Sequence, residues 1–386
     1  MSTTPLKKND VSFDPSLSSH QYVADLLAQA NIEINGERPW DMQLNAPGVI
    51  ENALSRANLG LGESYMNGDW DAESLDQFFY HLMRAQLHLR VKPTQLVYHS
   101  LKAKLFNRQS AKRAWEVGEK HYDLGNEFYA AMLDQRMTYT CGYWNNATNL
   151  DEAQEAKLDL ICRKLELKPG MRVLDIGCGW GSFMAYAAEH YGVECVGLTI
   201  SKEQADFGKR VMRKGLPVEF RLQDYRDETE VFDRIVSIGM FEHVGRKNYR
   251  EFMSVANRCL TDDGLFLLHT IGKNVSSTPP DPWIDKYIFP NGELPSLSQV
   301  SNAAETLFVV EDVHNFGADY DKTLMAWHDN FEANWLDFRE QFDDEFYRMW
   351  RYYLLSCAGA FRAREIQLWQ FVLSKKGVVG GYSRVS

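Results

Sequence analysis

The sequence predicts an α/β protein: a doubly wound parallel sheet preceded by a smaller, mainly helical N-terminal domain. Three observations carry that expectation. At 386 residues the chain exceeds one ordinary core, so two domains are expected. From Lys168 onward the pattern runs strand, glycine loop, helix, strand, as parallel strands joined by crossover helices require. Upstream of that point, apolar residues recur at helical spacing, with glycine and Asn-Gly punctuation between the runs.

Taken in order, residues 21–31 (QYVADLLAQAN) read as an amphipathic helix and residues 45–58 as a second helix with mixed faces. Residues 60–70 (GLGESYMNGDW) carry glycines and an Asn67-Gly68 turn signal, and residues 75–89 return to helical spacing. Between Asp76 and Glu116 there is no acidic residue, whereas Arg84, Arg90, Lys92, Lys102, Lys104, Arg108, Lys112 and Arg113 all fall there. With Leu96, Val97, Leu101, Leu105 and Phe106 near helical spacing, this stretch reads either as a contact with an anionic lipid surface or as a solvated linker helix. Both readings stand, and either one marks a boundary. The expected division is an N-terminal helical domain over 1–98, a basic linker over 99–118 and the main α/β domain over 119–386. Within the last, 171–176 is the first strand and 181–191 its helix. Residues 193–200, 218–222, 234–238 and 264–270 follow as short apolar strands.

Composition excludes several classes. An apolar content of 45% fits a globular core, while no apolar run approaches the roughly 20 residues that span a bilayer. The first fifteen residues carry charges and prolines in place of an apolar signal segment, so a cytoplasmic protein is expected. Cys141, Cys162, Cys178, Cys195, Cys259 and Cys357 form no C-x-x-C pair, which argues for reduced thiols and against a disulfide framework or a metal site. A net charge of −11 disfavours nucleic acid as a partner.

The most informative local pattern is Asp175-Ile176-Gly177-Cys178-Gly179-Trp180-Gly181, an acid at a strand end followed by D-x-G-x-G-x-G spacing. Glycines allow a sharp turn and close approach of a ligand at the carboxyl edge of the sheet. A dinucleotide site favours G-x-G-x-x-G and a helix N-terminus facing phosphate, where a carboxylate gains little. Asp175 instead suits a cationic ligand such as the amino-acid ammonium of S-adenosylmethionine. Asp224, after the strand at 218–222, is placed to accept from an adenine amine, with Tyr225 beside the ring; alone, such a pair reads as a turn.

Four further blocks, HYDLGNEFY from His121, MTYTCGYW from Met137, GMFEHVG from Gly239 and HTIG from His269, join LDIGCGWGS and LTISKEQ. Together with DPWIDKYIFPNGELPS, HNFGADYDKTLMAW and CAGAFRAREIQLWQ they resemble the cyclopropane-fatty-acyl-phospholipid synthase family and its mycolic-acid relatives. The resemblance covers nearly everything from His121 to Gln370, and GLGESYMNGDWD resembles the extended bacterial members with an extra helical domain. It implies a Rossmann-like class I methyltransferase domain with a mostly parallel seven-stranded sheet. It also implies a substrate that is a cis double bond in a phospholipid acyl chain, a peripheral position at the inner face of the membrane, and a homodimer. By the same resemblance the cofactor falls to Tyr139, Thr140, Leu174, Asp175, Gly177, Cys178, Gly179, Trp180, Gly181, Ser182, Thr199, Ile200, Ser201, Gln204, Asp224 and Tyr225. Many methyltransferases carry an acid after the second strand; here Thr199 stands there, with Gln204 as its substitute.

An alkene is a poor nucleophile, so such a reaction needs in-line positioning in a dry pocket, then a base that removes a proton without attacking the cation. The resemblance implies that a bicarbonate ion fills this role, held by Cys141, Glu242, His269, Ile271 and Tyr320. Cys141 and Ile271 would offer main-chain donors, His269 and Tyr320 side-chain hydrogen bonds, and Glu242 a bond to a protonated oxygen. Taken singly, Glu242-His243 reads as a helix-start detail and His269 as a core histidine; their joint occurrence with Tyr320 favours a site. Tyr139, Tyr143, Phe241, Trp283 and Tyr287 are candidates for the pocket wall or for cation stabilisation. Cys357 is a position the family has marked as catalytic, although a thiol attacking the cation would inactivate the enzyme, and its neighbours read as packing. Two other functions stay open: a methyltransferase of the same fold acting on a small amine, and an inactive lipid-binding module.

Overall fold

The computed structural model describes residues 13–86, 124–211, 215–276 and 280–386. The basic stretch therefore lies outside the described residues, apart from Arg84, which is exposed at the end of a helix.

The N-terminal part holds helix α1 (Ser18–Gln29), a two-residue strand β1 (Gln43–Leu44), helix α2 (Val49–Met66), strand β2 (Trp70–Asp71) and helix α3 (Leu75–Arg84). Helix α2 is kinked at Ala57, whose φ is +47°, so a first helical piece ends near the 58 expected from the sequence; a second piece runs through Gly60 and Gly62 to Met66, and the Asn67-Gly68 step then turns, with Gly68 at φ +80°. Gly62 serves packing rather than turning: a Cβ there would lie 2.4 Å from Trp283 Cδ1. Helices α4 (Asn126–Met132) and α5 (Leu150–Lys164) follow. Helix α5 begins at Asn149, whose side chain accepts from the Glu152 N–H, and it carries acids in its first turn and Arg163 and Lys164 in its last.

Then come β3 (Arg172–Ile176), α6 (Ser182–Tyr191), β4 (Glu194–Thr199), α7 (Lys202–Val211), β5 (Val218–Leu222), β6 (Phe232–Ile238), α8 (Tyr249–Cys259) and β7 (Leu260–Lys273). Two short helices, α9 (Pro282–Tyr287) and α10 (Leu297–Ala304), lead to β8 (Val309–Asn315), α11 (Ala318–Phe338), α12 (Asp344–Arg362) and β9 (Ile366–Ser374). Among the described residues seven strands form one sheet in the order β5-β4-β3-β6-β7-β9-β8. The first five are mutually parallel, and β9 runs antiparallel between β7 and β8. The mostly parallel seven-stranded sheet expected from the sequence is thus present. Strand β3 is buried along Val173–Ile176, as a strand covered on both faces must be.

The N-terminal helices share one apolar core with α11 and α12. Leu27, Trp70, Phe78, Phe128, Trp327, Trp350 and Tyr352 belong to a single cluster, and fully burying each such side chain contributes about 1.5–3 kcal/mol or more. Polar ties reinforce the contact: Arg362 bridges Asp76 at 2.6 Å and Asp321 at 2.8 Å, and Arg348 donates to the Trp70 carbonyl at 2.9 Å. A Cβ at Gly359 on α12 would sit 2.7 Å from the Asp76 carbonyl oxygen on α3, so glycine is needed for that approach.

Candidate active site

A cavity of about 200 Å³ opens at the carboxyl ends of β3, β4 and β6, where the strand order reverses direction and open α/β sheets hold their ligands. Its floor is the turn from β3 into α6. Gly177, Gly179 and Gly181 have φ of +87°, +54° and +90°, a conformation that only glycine adopts without strain. Asp175, Gly177, Cys178, Gly179, Trp180 and Ser182 all line the cavity. Leu174 does not; it faces the core with no exposure. Gly181 also stays off the wall, capping α6 where a Cβ would meet Phe220 Cζ at 2.4 Å.

Asp175 is 2% exposed, and its Oδ1 has no hydrogen-bond partner among the described residues. Burial pushes its carboxyl up to about 7, opposed by the nearby Lys157. A buried, half-satisfied carboxylate is costly unless a cation or donor meets it. The next wall comes from β4: Thr199, Ile200, Ser201 and Gln204 line the cavity. The Ser201 N–H donates to Thr199 Oγ1 at 3.1 Å, and the Thr199 hydroxyl lies 3.3 Å from Gln204 Oε1, so the glutamine is tied to the strand end. Beyond β5, Asp224 and Tyr225 complete the wall. Both Asp224 oxygens already accept from Arg226, through its N–H at 3.0 Å and through Nη1 at 3.0 Å. The Tyr225 hydroxyl is buried without a partner among the described residues.

The remaining side is the segment 137–140, which carries Tyr139 and Thr140. It is held from below. Asp134 accepts from the Thr138 N–H at 2.7 Å, and Gln154 Nε2 donates to the Thr140 carbonyl at 2.7 Å. Lys157 Nζ donates to Thr140 Oγ1 at 2.7 Å. Burial lowers the Lys157 ammonium to about 8, while Asp134, Cys141 and Asp175 oppose the shift. The Tyr139 hydroxyl lies 2.9 Å from that of Tyr353.

A second group gathers where β6 and β7 end. Glu242 sits in a 3-10 turn, Phe241–His243, after β6, and is 6% exposed. Its Oε1 accepts from the Ile271 N–H at 2.6 Å, and its Oε2 is buried without a partner among the described residues. Burial pushes this carboxyl up to about 7, against the opposing pull of the Ile271 N–H. His269 is 1% exposed, with Nδ1 3.2 Å from Gln370 Nε2 and with Nε2 unpartnered among the described residues. Burial, then Lys157 and Lys164, hold this imidazole well below its ordinary range, so it is neutral. Burial raises the Tyr320 hydroxyl well above its ordinary range, and Cys141 and Glu242 are among the neighbours that raise it further. Cys141 is fully buried, with Sγ 3.2 Å from the Gly142 carbonyl.

One sequence expectation changes here. Ile271 was to offer its N–H to an anion, but that N–H is taken by Glu242, so the residue's visible work is to orient the carboxylate. Cys357 is half-buried, its thiol pushed up to about 12 by burial, so it stays a thiol at neutral pH.

Sequence reasoning did not find Gln154, Lys157 or Lys164, all buried on α5. A signal existed: they occupy the apolar stripe of that helix, in register with Leu150, Ala153, Leu158 and Ile161. Polar residues on such a stripe need partners inside. Gln223, Met240 and His243 also line the cavity without having been anticipated there.

Comparison with known proteins places this architecture. Residues 109–371 match the family described as mycolic acid cyclopropane synthetase. The chain is 52% identical over 373 residues to the cyclopropane-fatty-acyl-phospholipid synthase of Escherichia coli strain K12, covering 95% of this chain and 96% of that one. Among solved structures, the cyclopropane synthase MmaA2 from Mycobacterium tuberculosis is 35% identical with a TM-score of 0.64, covering 68% of this chain and 98% of that one. The mycolic acid cyclopropane synthase CmaA1, complexed with SAH and CTAB, is 38% identical with a TM-score of 0.64 and the same coverage. On sequence and fold together, the chain belongs to the mycolic acid cyclopropane synthetase family of S-adenosylmethionine-dependent methyltransferases.

Proposed function

We propose that the chain is a cyclopropane-fatty-acyl-phospholipid synthase, transferring the methyl of S-adenosylmethionine to a cis double bond of a phospholipid acyl chain and closing a cyclopropane ring. The observation that carries the reading is a pair of buried, unpartnered atoms of opposite character, Glu242 Oε2 and His269 Nε2, beside a cavity holding the unpaired Asp175 Oδ1. Asp175 suits the ammonium of the methyl donor, and Gln204 and Asp224 suit its ribose and adenine.

The same pair fits a bicarbonate ion, which has both oxygens to accept from a donor and a hydroxyl to give to a carboxylate. Glu242, His269, Tyr320 and the main chain at Cys141 would hold it. Once bound, it supplies a small base for removing a proton from the transferred methyl. Glu242, with its carboxyl poised near neutrality, takes a proton at Oε2, while neutral His269 donates at Nε2. An aromatic wall at Tyr139 excludes water and presents a ring face to a developing cation, whereas Phe241 lies in the core, stacked on Tyr249, and does not line the cavity. Cys357 is assigned packing.

Mass spectrometry of phospholipids incubated with enzyme and S-adenosylmethionine tests the reading. Acyl chains should gain one methylene unit and lose one unsaturation; label passing to a soluble amine and not to lipid would favour the rival methyltransferase, and vesicle binding without cofactor binding would favour the inactive module.

Among the described residues no helix is long and apolar enough to cross a membrane. The proposed route to substrate is peripheral contact with the cytoplasmic face by a homodimer, through the basic linker at 99–118 between the domains at 1–98 and 119–386. Replacing Lys102, Lys104 and Arg108 by glutamate should weaken binding to anionic vesicles more at low salt than at high salt. Unchanged binding returns the segment to a plain linker.

A further inference from the structure

A row of polar side chains crosses the antiparallel part of the sheet beside the site. His269 on β7 pairs with Gln370 on β9, and Gln370 pairs with His314 on β8, so the three side chains share one face. Lys164, the last residue of α5, reaches this row. Its Nζ lies 2.9 Å from Gln370 Oε1 and 3.0 Å from His314 Nδ1. Gln370 Nε2 lies 3.2 Å from His269 Nδ1.

With Lys164 protonated, the chemistry of these groups leaves one self-consistent arrangement; burial lowers that ammonium to about 7, so the arrangement belongs to pH below that value. An ammonium has three donors and no acceptor, so the Gln370 atom facing Lys164 is then the carbonyl oxygen. The amide NH2 then faces His269, whose Nδ1 has to accept. A neutral imidazole that accepts at Nδ1 carries its proton on Nε2. That Nε2 is the buried atom left without a partner among the described residues.

We propose that Lys164 and Gln370 are positioning residues that lock His269 as an Nε2–H donor toward the anion held with Glu242. The functional half of this rests on the reading of that site given above; the tautomer itself does not. The lock matters because the opposite tautomer would aim a lone pair at Nε2, which repels an anion's oxygen and adds a competing base and nucleophile beside a carbocation. With the proton fixed there, the histidine can only donate.

The test reads the histidine directly. In the full-length enzyme labelled with 15N-histidine, the His269 resonances are identified by their loss in His269→Asn. Wild type should show Nδ1 unprotonated and Nε2 protonated; the reverse overturns the proposal outright. Gln370→Glu presents a carboxylate to both neighbours, pairing with Lys164 and accepting from Nδ1, so the tautomer should invert. Loss of one preorganised donor should then lower kcat about 100-fold, with cofactor affinity unchanged. Lys164→Met, which frees the amide to flip, should give mixed tautomers, and Lys164→Arg should restore the wild-type pattern. A tautomer indifferent to Gln370→Glu and to Lys164→Met sinks the proposal even if one of these variants folds poorly. Inversion with undiminished turnover would uphold the lock and overturn the anion-site reading instead.

Discussion

The cavity at the glycine turn and the Glu242–His269 group are built by different means. The cavity gathers a glycine turn, two strand ends and a short segment at 137–140, backbone stretches set close together by the parallel order β4-β3-β6. The second group is side chains from distant stretches, Cys141, Glu242, His269 and Tyr320, each in place because a buried hydrogen bond, a packing contact or a strand pairing holds it. On the proposed reading, binding geometry draws on backbone conformation, whereas proton handling draws on long-range side-chain contacts. Damage to one should leave the other recognisable.

The largest separation is expected at Glu242. Replacement by glutamine or alanine should lower kcat by about 10²- to 10⁴-fold while titration calorimetry shows nearly unchanged affinity for S-adenosylmethionine. Equal loss of both would erase the distinction between the two regions. The mirror-image variant is Asp175→Asn, which should weaken cofactor binding by about 10- to 100-fold through loss of a charge-assisted contact of ~1.5–3 kcal/mol.

Asp175 also gives a pH test. Its folded carboxyl is raised from 3.8 to about 7 by burial, so between those values the folded, cofactor-free protein holds a proton that the unfolded chain has released. This contribution to stability is full below pH 4 and is lost as pH rises through about 7. Asp175→Asn should therefore raise the Tm of the cofactor-free enzyme at pH 8 and do little at pH 4; a gain independent of pH would contradict the assignment.

A smaller effect is expected at Gly181→Ala, where a positive φ and the approach of Phe220 both resist a side chain. The cost should be about 1–3 kcal/mol in denaturant unfolding, with cofactor affinity falling and the pH dependence of kcat unmoved. Smallest of all, Cys357→Ala should reduce turnover only in part and without selectivity for either region. A total loss would give the thiol a role that its high pKa denies it.

How far the sequence speaks follows the same division. The parallel strands were legible because β3, β4, β6 and much of β7 are apolar runs, and the glycine spacing of 177–181 is a backbone requirement written directly in residue type. Strands β8 and β9 were not individually located: β8 (VVEDVHN) carries acids on an exposed edge, and β9 takes its meaning from inserting between two others. Glu242 and His269 were found through motif resemblance, since neither one's burial nor its partner can be read from neighbours in sequence. Lys157 and Lys164 went unseen although their helical register exposed them, because a lysine on an apolar stripe is explained only by partners outside its own helix, Thr140 on the preceding segment and Gln370 far off along the chain. The Ile271 N–H shows the limit of resemblance, which supplied the residue and not the atom it serves.

The position of β9 bears on how the molecule assembles. Strand β8 is made before β9 yet, among the described residues, has no other neighbour, so during synthesis on the ribosome β7 presents an open edge until the later strand arrives. Gln370 comes with that strand, and so does the hydrogen bond to His269. A nascent chain can therefore shape its glycine turn early but lacks the Gln370 contact to His269, and stays vulnerable to wrong pairing, until the last gap in the sheet is filled.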